Sequence, residues 1–141
     1  GSLADSGALI ECSHTRTMNK AMVVLQEKTL SSNRGFVLRF WNLGITHIKP
    51  GAFRRLGGFG AIKHVPLSGN DLARIENGTF VGLDSVEELD LTDNKIERID
   101  ARALDGLASR TKLWLKGNPV TCADIASLAF SCEDQSSPQY N

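Results

Sequence analysis

The stretch VEELDLTDNKIERIDARALDGL (86–107) matches two earlier stretches of its own chain. It aligns with IKHVPLSGNDLARIENGTFVGL (62–83) and with GFVLRFWNLGITHIKPGAFRRL (35–56), and a shortened copy, RTKLWLKGNPV, follows at 110–120. Phe40, Leu67, Leu91 and Leu115 occupy one repeat position, at spacings of 27, 24 and 24 residues. Self-similarity at this period requires a solenoid: each copy is one coil, and no coil can bury its apolar residues without a neighbour.

The order of residues within a copy sets the shape of the coil. An L-x-L pair reads as a short strand turning its apolar side chains inward, with parallel pairing between strands of successive coils. Asn70, Asn94 and Asn118 fall where each strand ends. A buried amide both donates and accepts, so a stack of them can satisfy backbone groups of adjacent coils. The pairs Ile45/Ile48, Leu72/Ile75 and Ile96/Ile99 are expected to fill the coil. Phe53/Leu56, Phe80/Leu83 and Leu104/Leu107 are expected to close its convex side. This order, L-x-L-x-x-N-x-L, resembles a leucine-rich repeat. The fold expected is an α/β solenoid, a right-handed coil with a parallel concave sheet and a cap at each end. Residues 1–34 are assigned to the N-terminal cap, 35–120 to about four repeats, 121–133 to the C-terminal cap and 134–141 to a flexible tail.

Two irregularities stand out. The first copy has Leu43 where the others have Asn, so the ladder is expected to begin at Asn70. Three extra residues and Pro66 disturb the second copy, and a local defect is expected from Phe59 to Pro66 because proline cannot donate to a ladder.

Solenoid ends need covering. After Pro119, Ala123 to Phe130 places Ile125 and Leu128 at helical spacing between Cys122 and Cys132. A short helix over the last coil, stapled by a Cys122–Cys132 disulfide, fits this; two buried thiols are the alternative. At the front, Ala8 to Ser13 reads as a strand. Met18, Ala21, Met22 and Leu25 fit a helical face about as well as an extended segment, and SSNRG reads as a turn. Cys12 is expected to be unpaired, or paired outside this sequence.

IECS (10–13) resembles the last cysteine of the N-terminal cap in extracellular leucine-rich-repeat proteins, and GNPVTC (117–122) the start of their C-terminal cap. Size and repeat style resemble the variable lymphocyte receptors of jawless vertebrates, or an invertebrate relative, over residues 8–133. The C-terminal segment leaves no room for the long insert with which those receptors contact antigen, so a germline-encoded relative is the closer expectation. The resemblance implies a secreted or cell-surface module that binds a protein or glycan, in innate immune recognition. A structural or adhesion module of a larger receptor or matrix protein is the alternative.

No phosphate loop, nucleophile elbow or metal-binding His pair appears. His14 and Cys12 lie at the opposite end from Cys122 and Cys132, so neither zinc nor any other cofactor is expected, and no enzymatic activity. No apolar run approaches the roughly 20 residues of a membrane span. The chain opens GSLADSG; the Gly-Ser reads as an added end, leaving room for a secretion signal upstream.

Binding residues are expected on the concave sheet, where strand residues alternate outward. The outward rows supply Arg39, Trp41, His64, Glu88, Asp90, Thr92, Asp93, Lys112, Trp114 and Lys116, with Val37, Asn42, Pro66, Ser68, Gly69 and Gly117 beside them. Both tryptophans are among them, and Trp is enriched at binding hot spots. The alternative is that the C-terminal cap or tail covers Trp114 and the N-terminal segment covers Trp41. Asn77-Gly78-Thr79 is an N-glycosylation acceptor sequence on the loop side, away from the sheet. His47 is expected in a solvated convex loop.

Net charge is zero, which gives no indication of nucleic-acid binding, but the distribution is uneven. Residues 1–70 carry 9 Lys/Arg and 3 Asp/Glu (+6), and residues 71–141 carry 7 and 13 (−6). Such a dipole suits a complementary partner or self-association.

Overall fold

The computed structural model describes residues 17–18, 26–29, 34–37, 40–54, 63–128 and 130–136. Arg39, Cys12, His14, and the segments 19–25 and 55–62 lie outside the described residues.

The coil is the solenoid that the repeat requires. Strands β5 (His64–Pro66), β7 (Glu88–Asp90) and β9 (Lys112–Trp114) pair in parallel, one per copy, in the register His64–Glu88–Lys112 and Pro66–Asp90–Trp114. Between successive strands the chain runs through a second short strand on the far side of the core. These are β6 (Arg74–Ile75) and β8 (Arg98–Ile99), which pair in parallel; β4 (His47–Ile48), at the same repeat position, precedes β5. The convex side is made of turns, with no α-helix among the described residues.

The repeat positions predicted to point inward do so. Phe40, Leu67 and Leu91 are completely buried and Leu115 nearly so, with Ile45, Leu72, Ile96, Val65, Leu89 and Leu113 around them. Phe53 lies between Phe40 and Phe80, at ring-centroid distances of 6.1 and 6.2 Å, so aromatic packing links the first two coils through the core. Coil spacing is tight at Gly82, which has φ +105°. A Cβ there would collide with the carbonyl oxygen of Phe53, one coil back. Gly106, at the same repeat position, stands in the same relation to Phe80.

The Asn ladder satisfies the backbone where each coil turns. Asn70 Oδ1 accepts from the N–H of Leu43 (2.9 Å) and Ile45 (3.1 Å), and its Nδ2 donates to the carbonyls of Phe40 and Leu67. Asn94 accepts from Leu72 N–H and donates to Leu67 and Leu91. Asn118 accepts from Ile96 N–H and donates to Leu91 and Leu115. Leu43 therefore takes no part in the ladder through its side chain; its N–H is capped by Asn70 from the next coil.

Pro66 does not break its strand. Lys63 and Leu67 direct their backbone bonds to β7, through Glu88 N–H to Lys63 O and Leu67 N–H to Asp90 O. By alternation, Pro66 turns its missing donor the other way, toward the first coil. The rest of the expected defect, residues 59–62, lies outside the described residues.

The N-terminal region is extended where it is described. β1 (Thr17–Met18) pairs in parallel with β4, and β2 (Gln26–Thr29) forms an antiparallel pair with β3 (Arg34–Val37). The helical alternative at Met18 is thus replaced by a strand. His47 is exposed but sits in that strand pair rather than in a loop.

At the other end, Cys122–Leu128 forms a 3-10 helix with a kink at Ile125, whose side chain is buried against the last coil. Cys122 and Cys132 are disulfide-bonded. Beyond the helix lies an element not foreseen in the sequence: β10 (Ser131–Glu133), which pairs in parallel with β9 and makes the concave sheet four-stranded.

Candidate ligand-binding face

The register builds the concave face in three rows across the sheet. The first is His64, Glu88, Lys112 and Ser131; the second is Pro66, Asp90, Trp114 and Glu133. The third follows the ladder past the strand ends, where Asn42 N–H donates to Ser68 O, Gly69 N–H to Thr92 O and Asp93 N–H to Lys116 O. It contains Trp41, Ser68, Thr92 and Lys116.

Polar and charged side chains in these rows meet across strands. His64 Nδ1 lies 3.2 Å from Glu88 Oε2, and Lys112 Nζ lies 4.0 Å from Glu133 Oε1. The added strand puts a further acidic residue, Glu133, at the edge of the face. Exposed pairs of this kind contribute about 0–1 kcal/mol each, so they shape specificity more than stability.

Three expected contact residues are more structural than exposed. Asp90 and Thr92 are buried, at 4% and 6% exposure. Asp90 Oδ1 accepts from Thr92 N–H (3.0 Å) and from Thr92 Oγ1–H (2.7 Å), closing the end of β7. Trp114 is only 8% exposed, against 39% for Trp41. The Lys112 ammonium lies 5.4 Å from the Trp114 ring centroid, a cation–π distance. Trp114 lies in register with Asp90 across β7 and β9. Alternation could not show that β10 pairs beyond β9, which makes Trp114 an interior position of the sheet. Its Nε1 is the one buried side-chain nitrogen or oxygen among the described residues with no hydrogen-bond partner.

Trp41 remains the exposed anchor, beside Asn42. Asn42 and Asp93 both adopt left-handed φ (56° and 55°), which these two residue types tolerate, and both are exposed at the rim. Lys116 is exposed, and His64 is exposed beside Glu88. Ser131 and Glu133 are face residues that the sequence reading missed. The signal was the alternation of polar Ser131, apolar Cys132 and polar Glu133 directly after the cap helix.

Away from this face, Asp100 accepts a bidentate pair from Arg74 (3.1 and 3.0 Å) and lies 3.3 Å from Arg98 Nε. The Arg74 hydrogen bond holds the Asp100 carboxyl below its ordinary pKa, and Asp100 raises that of Arg74 in return. This cluster ties β6 to β8. Among the described residues no group of His, Cys, Asp or Glu could hold a metal ion, and no helix is long and apolar enough to cross a membrane.

A comparison of the chain with curated proteins returns no match. Residues 61–120, which hold β5 to β9 and the whole Asn ladder, match the family model for the leucine-rich repeat.

Proposed function

We propose that the concave sheet is the recognition face of an extracellular protein and that its ligand is a protein or a glycan, in innate immune recognition. The observation that carries this reading is Trp41. A large aromatic side chain is left 39% exposed on a row whose other members, Ser68, Thr92 and Lys116, are polar. Exposed Trp in a polar surround is the composition of a binding hot spot. The leucine-rich repeat generally serves as a binding module, which supports the same face. The disulfide between Cys122 and Cys132 suits an oxidising compartment, and hence the extracellular part of the reading.

The test is to probe a glycan and microbial-surface array with the isolated chain, alongside a Trp41→Ala variant. Binding that is lost in the variant supports the face. Binding that survives it places the ligand elsewhere.

A second reading, self-association within an adhesion assembly, is favoured by the +6 and −6 halves of the chain. It requires an oligomer that dissociates with salt in sedimentation measurements.

A further inference from the structure

We propose that Asn77 carries an N-linked glycan, and that the second coil has been altered from its repeat at two positions to hold it. The inference rests on the extracellular part of the reading above, not on the concave face.

The repeat gives the baseline. The position of Asn77 is Pro50 in the first coil and Ala101 in the third; that of Thr79 is Ala52 and Ala103. Ala52, Thr79 and Ala103 are all buried, at 0–1% exposure. In all three coils the backbone closes the turn without help from a side chain. Ala52 N–H donates to Lys49 O, Thr79 N–H to Glu76 O and Ala103 N–H to Asp100 O. The Thr79 hydroxyl adds a 2.6 Å bond to that same Glu76 carbonyl. Neither the packing nor the turn needs it, since alanine fills the site twice over. The hydroxyl and the amide depart from the repeat together, two residues apart, with Gly78 between them. That is the spacing an N-x-T acceptor needs.

The side-chain amide is held in a usable orientation. Asn77 Oδ1 accepts from Arg102 N–H of the next coil at 2.9 Å. The oxygen is thus tied to the protein, whereas Nδ2 makes no hydrogen bond among the described residues, and Asn77 is exposed. Between the first two coils a backbone bond, Gly51 N–H to Gly78 O, does the same work without a side chain. Glycosylation would consume only Nδ2. Nδ2 loses one proton and forms a bond to the anomeric carbon of an oligosaccharide donor. The bond from that carbon to a lipid diphosphate breaks, and the diphosphate leaves with its electron pair. Oδ1 stays in place, so the Arg102 bond survives. The glycan then projects from the side of the coil opposite β5, β7 and β9.

The full chain, secreted from animal cells behind a signal sequence, tests this. The peptide spanning residues 75–95 is analysed by mass spectrometry after release with peptide N-glycosidase in heavy-oxygen water. The expected result is a heavy-oxygen Asp at position 77 and a gel shift that the enzyme reverses. Thr79→Ser should keep the shift, and Thr79→Ala, which restores the residue of the other coils, should abolish it. Secreted protein with Asn77 unmodified, or converted to Asp before enzyme treatment, overturns the proposal. So does a shift that persists in Thr79→Ala. The bare chain made in bacteria tests ligand binding separately, so loss of this site and loss of the recognition face are distinguishable.

Discussion

Asn94 Nδ2 donates at 3.0 Å to the carbonyl of Leu67, twenty-seven residues earlier and one coil back, while donating at 3.1 Å to Leu91 in its own coil. One amide thereby fastens two coils. Asn94→Ala leaves the Leu67 carbonyl to Asn70 and the Leu91 carbonyl to Asn118 but strands the Leu72 N–H that Oδ1 caps, at about 1–3 kcal/mol. Asn42→Gly, which keeps the left-handed φ of 56° at an exposed rim position, should move the urea midpoint far less. Equal midpoints would show that the ladder contributes nothing beyond its backbone.

Gly82→Ala introduces a Cβ against Phe53 O at a φ of +105°, a conformation that L side chains rarely adopt. Neither backbone can yield without opening the gap between coils. The expected loss exceeds about 1 kcal/mol. An unchanged thermal midpoint would mean that the coils separate freely.

The Cys122–Cys132 bridge joins the cap helix to β10. Reduction should lower stability by about 2–4 kcal/mol. It should also raise hydrogen exchange first at the Leu115 N–H, which donates to Glu133 O. Mass spectrometry of oxidised protein that shows two free thiols would refute the bridge.

The Asp100 cluster sets an acid limit. Its folded pKa is depressed, so its contribution is present above the ordinary carboxylate range and is lost as pH falls through the folded value. Asp100→Asn should therefore flatten the fall in stability on the acid side and change little else in the pH profile. A profile identical to that of the native chain would show that Arg74 and Arg98 are solvated independently of Asp100.

The repeat carried most of the fold because solenoid physics is local: an apolar residue every coil turn and an Asn at each strand end. Those rules placed Leu67, Leu91, Asn70 and Asn94 without a structure. They failed where the repeat stops. β10 is only three residues long, so the alternation of Ser131, Cys132 and Glu133 did not by itself assign a strand; its place is set by pairing with β9 in the preceding coil. The face was legible as a side but not as a surface. Period-2 alternation assigned Asp90, Thr92 and Trp114 to the concave side, yet Asp90 and Thr92 bond to each other at the end of β7 and Trp114 gains β10 as a neighbour, which alternation does not report. Trp41 stays exposed although it shares that side.

That difference decides how the binding face must be tested. Trp114→Ala removes a buried ring and should lower stability as well as any affinity, so it cannot isolate recognition. Asp90→Lys has the same fault, because Asp90 fixes the end of β7 through Thr92. Trp41→Ala and Lys116→Glu are the clean probes, since both residues are exposed and lie on the same row. They stand three strand steps apart, roughly 14 Å at about 4.8 Å per step, so a ligand touching both spans most of the sheet. Trp41→Ala should weaken binding by about 2 kcal/mol, roughly thirtyfold, mainly through faster dissociation. Lys116→Glu should act through the association rate and its salt dependence. Arg102→Ala on the convex side keeps the backbone N–H that bonds Asn77 and should leave binding unchanged. Surface plasmon resonance of the four proteins, at two salt concentrations, separates these outcomes. A ligand whose kinetics respond to Arg102→Ala and to neither face variant would move the binding site to the convex turns.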